Sequence, residues 1–379
     1  MTFFRIAFIQ KFHKELIVAA ISLWALYLRI QFLAHSQIDG DALWQVGFIQ
    51  SRESFLDLLR LLPKADHAGY LAGDFVLIYP FFKFFGWNKW ALSLPHLAIT
   101  MAGYYFMYRL ARDHFKTVWG YIVSFLVLSL NGNLIEHSVE VRAYAVMPTL
   151  ALMVLYYALR VFESGAGMGA REKFWIGLVF VLTIWFHLYG ILMVFCSLLY
   201  AALVHCRDER RRSVFCNAAK YFAGVFVVAL PLWGYSILVA LKLNMKAMTE
   251  ARGMNTFDYI PNPLDLLGFL RAIFGNLMGF KSVDLAIFKI DLRWLIYGTL
   301  PALLLPHRER FRKMGFYLIL IVLPLQLLFL MDLFNGYWYL QRQFVWVMAW
   351  HAFFLGWCWD SIAQVIIQQL KFKRQVAIP

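Results

Sequence analysis

Leu16-Ile-Val-Ala-Ala-Ile-Ser-Leu-Trp-Ala-Leu-Tyr-Leu-Arg-Ile-Gln-Phe-Leu-Ala34 is a nearly unbroken apolar run, preceded by Lys14-Glu15 and followed by His35-Ser36. A helix crossing the ~30 Å hydrocarbon core needs about 20 mostly apolar residues, and this run nearly fills that length. It exceeds a typical signal h-region and has no convincing small-residue cleavage site after it, so it reads as a retained first span. The rest of the chain agrees with that solvent. Of 379 residues, 62% are hydrophobic and only 15% charged, against about 45–50% apolar and roughly 25% charged in soluble domains. There is too little polar surface to cover a water-soluble fold. The 18% of aromatic residues suit the two bilayer interfaces, where amphipathic rings settle.

The chain carries 36 Lys+Arg against 22 Asp+Glu, a formal charge of +14. The basic residues fall in short packets between apolar runs and do not gather on one face, which excludes a nucleic-acid partner and makes the charge a matter of topology. The four cysteines, Cys196, Cys206, Cys216 and Cys358, form no CxxC and no ligand spacing, which speaks against a disulfide framework or a cysteine-bound zinc.

Scanning at span length gives ten candidates, near 15–34, 89–110, 117–135, 143–161, 173–187, 188–205, 219–241, 286–305, 314–332 and 342–360. The expected fold is therefore an all-α polytopic membrane protein, a single membrane domain over 1–379, with both termini on one side. The positive-inside rule tests the count. With the N-terminus inside, the inner segments hold 21 basic residues against eight acidic ones, so +13 of the +14 lies on the cytoplasmic side.

Two choices enter that model. The apolar stretch from Phe174 to Val204 is split at His187-Leu-Tyr-Gly, because a single crossing would put Arg207–Arg212 outside. Gly69 to Gly86 is apolar enough to span but contains Asp74, Pro80 and Lys83, and a crossing there would invert every later side. It is read as an interfacial or re-entrant helix. Residues 42–62, with Leu43, Val46, Ile49, Phe55, Leu59 and Leu62 on one face, make a second one. The other long outer loop, 242–285, carries Arg252, Asp258, Pro261 and Pro263 and a weak helical pattern at 264–280.

Ionisable groups at membrane depth cost at least ~2.5–3.5 kcal/mol on insertion scales, so those near the outer ends of spans are candidates for function. Asp39-Gly-Asp41 follows the first span; the pair suits a divalent cation, a general base, or simply a solvated turn and helix cap. Asp66-His67-Ala-Gly-Tyr70 opens the interfacial helix of Gly69 to Gly86, where a histidine could meet a phosphate. Glu136-His137-Ser-Val-Glu140-Val-Arg142-Ala-Tyr144 crowds acids and a guanidinium fork between two apolar helices, for phosphate or carboxylate or for an interhelical salt bridge. His187 with Tyr189 stands at the hairpin tip. Gln341-Arg342-Gln343 begins the last span, after Tyr337-Trp338-Tyr339, as an interfacial anchor or a phosphate grip.

Taken in order, Asp39/Asp41, His67-Ala-Gly-Tyr70, Glu140-Val-Arg142-Ala-Tyr144, His187-Leu-Tyr189 and Arg342 resemble the motif series of the C-type (GT-C) integral-membrane glycosyltransferases. That superfamily includes the protein O-mannosyltransferases and the lipid A aminoarabinose transferase. The likeness covers about residues 15–205, the family's module of six spans and two interfacial helices; 206–379 is the variable part. An adjacent Asp-Glu of the family is Asp-Gly-Asp here, and both prolines of its His-Pro-Pro element are missing.

The resemblance implies a polyprenyl-phosphate sugar donor, an acceptor hydroxyl on a lipid, glycan or protein, and transfer with inversion at the extracytoplasmic face of a bacterial inner membrane. It implies Asp41 as general base, with Asp39 the alternative, and Glu140 as a further catalytic carboxylate. Arg142, Arg342, His67, His187 and Tyr144 would bind the donor phosphate. A divalent cation (Mg, Mn or Zn) held by Asp39, Asp41 and Glu140 is optional. The rival functions are a transporter or flippase for lipid-linked sugars, for which repeat symmetry and midplane charges are wanting, and an O-antigen polymerase or ligase.

Overall fold

The computed structural model describes residues 2–38, 40–62, 72–163, 168–205, 213, 215–230, 283–285, 288–290, 307–327 and 344–376. The described chain is helical apart from one small hairpin. The helices are α1 (Thr2–His35), α2 (Gly40–Gln50), α3 (Phe55–Leu61), α4 (Ala72–Phe85), α5 (Lys89–His114), α6 (Val118–Leu130), α7 (Gly132–His137), α8 (Met147–Glu163), α9 (Ala170–Phe186) and α10 (Gly190–His205). They continue with α11 (Phe215–Leu230), α12 (His307–Phe316) running into a π-helical turn (Tyr317–Val322), and α13 (Val345–Val376).

Within α1, His13–His35 is long and apolar enough to cross a membrane, with mean hydropathy 1.9, and only 17% of its apolar stretch is buried. The core helix of a soluble protein would hide that stripe. Here Leu23 and Tyr27 lie exposed.

End contacts fix how the helices run: α5 is antiparallel to α1 and parallel to α8, and α6 is parallel to α1. At one end Lys14 Nζ donates to the Lys116 carbonyl (3.1 Å) and Tyr108 donates to Glu15 (3.1 Å). Arg109 and Arg160 both reach the Tyr156 hydroxyl there, and Phe162 stacks on His205. At the other end Lys89 Nζ donates to the Ser36 carbonyl (2.7 Å), tying the start of α5 to the end of α1. Among the described residues, the basic connections around Lys14, Arg109, Lys116 and Arg160 thus share one end, and Glu140, Arg142 and His187 belong to the other.

The α6 helix has 13 residues, about 20 Å at ~1.5 Å per residue, and both its ends are closed by side chains from other helices. At its N-terminus the buried Asp360 carboxylate of α13 accepts from the backbone N–H groups of Lys116 (3.1 Å) and Thr117 (2.6 Å), from the Thr117 hydroxyl (2.7 Å) and from the Gln364 amide (2.6 Å). At its C-terminus Arg29 of α1 donates to the Leu128 carbonyl (3.2 Å) beneath the Tyr104 ring. An anion at the N-terminus and a cation at the C-terminus each complement the helix dipole. This is why two charges can sit in apolar surroundings; α13 itself continues past the span end expected at 360.

The α9–α10 hairpin turns at His187-Leu-Tyr-Gly, the predicted split. A Cβ on Gly190 would collide with the Thr183 carbonyl, so only glycine lets the two helices meet so closely. The segment 42–62, expected as one interfacial helix, forms two helices: Ser54 accepts from the Asp57 N–H and restarts the chain as α3. That break rephases the face. Ala42, Val46, Ile49 and Leu58 are buried, whereas Leu43 and Phe55, expected inside, are exposed.

The span expected at 286–305 is corrected at its start. Val283–Leu285 and Phe288–Ile290 pair as an antiparallel hairpin, β1 and β2, with Val283 opposite Ile290. Val-Asp-Leu and Phe-Lys-Ile alternate with period 2, the pattern of a strand. Residues 291–305, the 264–280 segment, and the ends of the spans expected at 219–241 and 314–332 lie outside the described residues.

The apolar interior has a main part between α1, α5, α6, α8, α9, α10 and α13, and a separate one under α2, α3 and α4. The second includes Val141 and Ala143, while Val139 packs with Leu33 and Leu97. Val139, Val141 and Ala143 are thereby anchored in these two clusters, while Glu140 between them stays partly exposed.

Candidate functional site

A cavity of about 230 Å³ opens where the end of α1, the start of α2, the start of α5 and the loop after α7 converge. Its polar wall is Ser36, Gln37, Lys89, Ser93, Glu136 and Glu140; Phe32, Leu33, Ile38, Ala42, Val139 and Val141 make the apolar one. Such a mixture fits a ligand with a charged or hydroxylated part and a greasy part.

Each polar group is held by its element. Asn131 caps α7 by accepting from the Leu134 N–H (3.1 Å), and the last residue of that helix, His137, donates from Nδ1 to Glu140 Oε2 (2.8 Å). Because Nδ1 faces a carboxylate, it carries the proton. Lys89 is the first residue of α5, behind its Asn88 cap, with the ammonium on the α1 carbonyl terminus. Asp41 lies in the first turn of α2, one residue before the cavity-lining Ala42, where the helix dipole favours a carboxylate.

Arg142, Tyr144 and His187 form an adjoining stack and do not line this cavity. The Arg142 guanidinium lies 5.6 Å from the Tyr144 ring centroid, Tyr144 lies 5.6 Å from His187, and His187 lies 4.8 Å from Tyr189. In the turn between α9 and α10, His187 Nδ1 accepts from the Tyr189 N–H (3.0 Å).

Among the predicted site residues, the structure thus places Glu140 and the start of α2 on one cavity and groups Arg142, Tyr144 and His187 beside it. Asp39, His67 and Arg342, and the side chain of Asp41, lie outside the described residues. Among the described residues no three His, Cys, Asp or Glu side chains group as a metal site; the Asp39, Asp41 and Glu140 set falls outside that statement. Three features escape the sequence reading: the role of His137 in orienting Glu140, the cavity cation Lys89, and a buried Gln45–Asp74–His96 network. No family model, curated protein or solved structure matches the chain.

Proposed function

We propose that the chain is a polytopic membrane enzyme whose catalytic cavity faces the extracytoplasmic side. In particular, it is a glycosyltransferase that moves a sugar from a polyprenyl-phosphate donor to an acceptor hydroxyl. The observation that carries this is the cavity itself. It joins Glu140, Lys89 and the start of the Asp41 helix, at the bundle end opposite the basic connections. The positive-inside rule assigns those connections to the cytoplasm, and the exposed apolar flank of α1 supports a lipid surround.

In this reading the acceptor oxygen attacks the anomeric carbon from the face opposite the phosphate. Its proton passes to Asp41 as the bond forms. The anomeric carbon–oxygen bond breaks, and its electron pair leaves with the polyprenyl phosphate. Lys89, already in the cavity, meets the negative charge that develops there, with Arg142 and Arg342 as further cations. Glu140, held by His137, faces the positive charge that grows at the anomeric carbon. Asp39, Asp41 and Glu140 are oxygen ligands suited to a hard cation, which would polarise the donor phosphate, while Lys89 already supplies one positive charge.

The test is reconstitution of the purified protein in sealed vesicles with polyprenyl-phosphate sugars. Release of polyprenyl phosphate with the sugar on an acceptor supports transfer. Sugar lipid that crosses the bilayer intact, without release, would show a transporter and refute the proposal.

A further inference from the structure

Away from the cavity, three polar side chains meet in full burial: Gln45 of α2, Asp74 of α4 and His96 of α5. Gln45 Nε2 donates to Asp74 Oδ2 at 2.5 Å, His96 Nε2 lies 2.8 Å from Asp74 Oδ1, and His96 Nδ1 lies 3.2 Å from the Leu92 carbonyl. The protons can be counted. A carbonyl only accepts, so Nδ1 carries a hydrogen; an amide nitrogen only donates, so Oδ2 accepts. One proton remains between Nε2 and Oδ1, and the pair is neutral as a whole.

Stability does not account for this network. Apolar replacements of a buried ionic group are often neutral or stabilising, and polar contacts between membrane helices average only ~0.6 kcal/mol. Its position offers another reason. Ala42 and Gln45 are one turn apart on α2, as are Asp41 and Gln45, and Lys89, Ser93 and His96 follow one face of α5. The network is the next layer behind the two helices that wall the cavity.

We propose that Gln45, Asp74 and His96 are positioning residues that fix α2 against α5 and so set the place of Asp41, a role that rests on the transferase reading. Hydrogen bonds lock rotation and sliding of α2 in a way that apolar contact would not. Misplacing a reacting group by about 1 Å can cost ~10²-fold in rate.

The test compares Asp74→Leu with Asp74→Asn, both neutral at every pH. Asn can still accept from Gln45 and donate to a neutral His96 Nε2, so it keeps the lock. In the release assay Asp74→Leu should lose ~10²-fold in kcat with KM within about threefold, and Asp74→Asn should stay within about fivefold of wild type. Equal kcat for Asp74→Leu and wild type would overturn the proposal, as would an Asp74→Asn as inactive as Asp74→Leu.

A second measurement needs no catalysis. In a cysteine-free background, Ala42→Cys and Val139→Cys, which both line the cavity, are bridged with a bifunctional maleimide. Adding Asp74→Leu should slow bridging about tenfold and adding Asp74→Asn should not, if the lock holds α2. Unchanged bridging in Asp74→Leu overturns the positioning role. Should Asp74→Leu fail to fold, Gln45→Leu, which leaves the Asp74–His96 pair intact, is held to the same expectation. A wild type that bridges normally yet releases no polyprenyl phosphate would refute the transferase reading and leave the α2 lock standing.

Discussion

Glu140→Gln is expected to lower polyprenyl-phosphate release by about 10²–10³-fold while the protein remains folded, within the range that positioned acid, base and electrostatic groups contribute. The substitution keeps the shape. A glutamine oxygen still accepts from His137 Nδ1, which now meets the carboxylate at 2.8 Å, so the group stays in place and only its charge is lost. Glu140 is part exposed in a cavity whose only other described acid is Glu136. Removing its charge therefore removes much of the negative field that, in the proposed transfer, faces the anomeric carbon. The fall should appear in kcat with KM little changed, since the charge matters most in the transition state. A fall confined to KM would make Glu140 a binding group and weaken the catalytic assignment.

The largest expected loss of stability lies at the other end of the molecule, at Asp360. Its carboxylate accepts from two backbone N–H groups, a hydroxyl and an amide. Asp360→Leu leaves those part-buried donors without their acceptor at the N-terminus of α6. Each unmet buried donor costs about 1–3 kcal/mol, and water that reaches this partly open end lowers the sum, so a total of about 2–3 kcal/mol is expected. Thermal unfolding in detergent should show a marked drop in midpoint. Asp360→Asn, which keeps one acceptor oxygen, should lie between that and wild type. A midpoint unchanged in Asp360→Leu would mean that α6 is capped by something else.

What could be read from the sequence followed from local signals. The apolar run of α1, the charged packets between helices and the hairpin break at Gly190 are each contained in a few neighbouring residues, and composition or a breaker reveals them. Glu140, Arg142 and Tyr144 stood out because a dense charge cluster between apolar helices is conspicuous at any resolution. The residues that were missed depend on contacts between distant segments. Asp74 was visible only as an oddity in an apolar stretch, because its partners Gln45 and His96 come from two other helices. Asp360 looked like a charge at a span end, and nothing near it announces α6. At 283–290 a window long enough to detect a span averages over two short strands, so their alternation is lost.

The claim that everything else depends on is that Asp41 takes the acceptor's proton at this cavity. The most direct measurement is the single-turnover rate of polyprenyl-phosphate release by Asp41→Asn and wild type, at saturating donor and matched amounts of folded protein. Asn cannot accept the proton, so Asp41→Asn is expected to bind donor with a similar KM and to release at least about 10²-fold more slowly. A wild-type release rate from Asp41→Asn would contradict it.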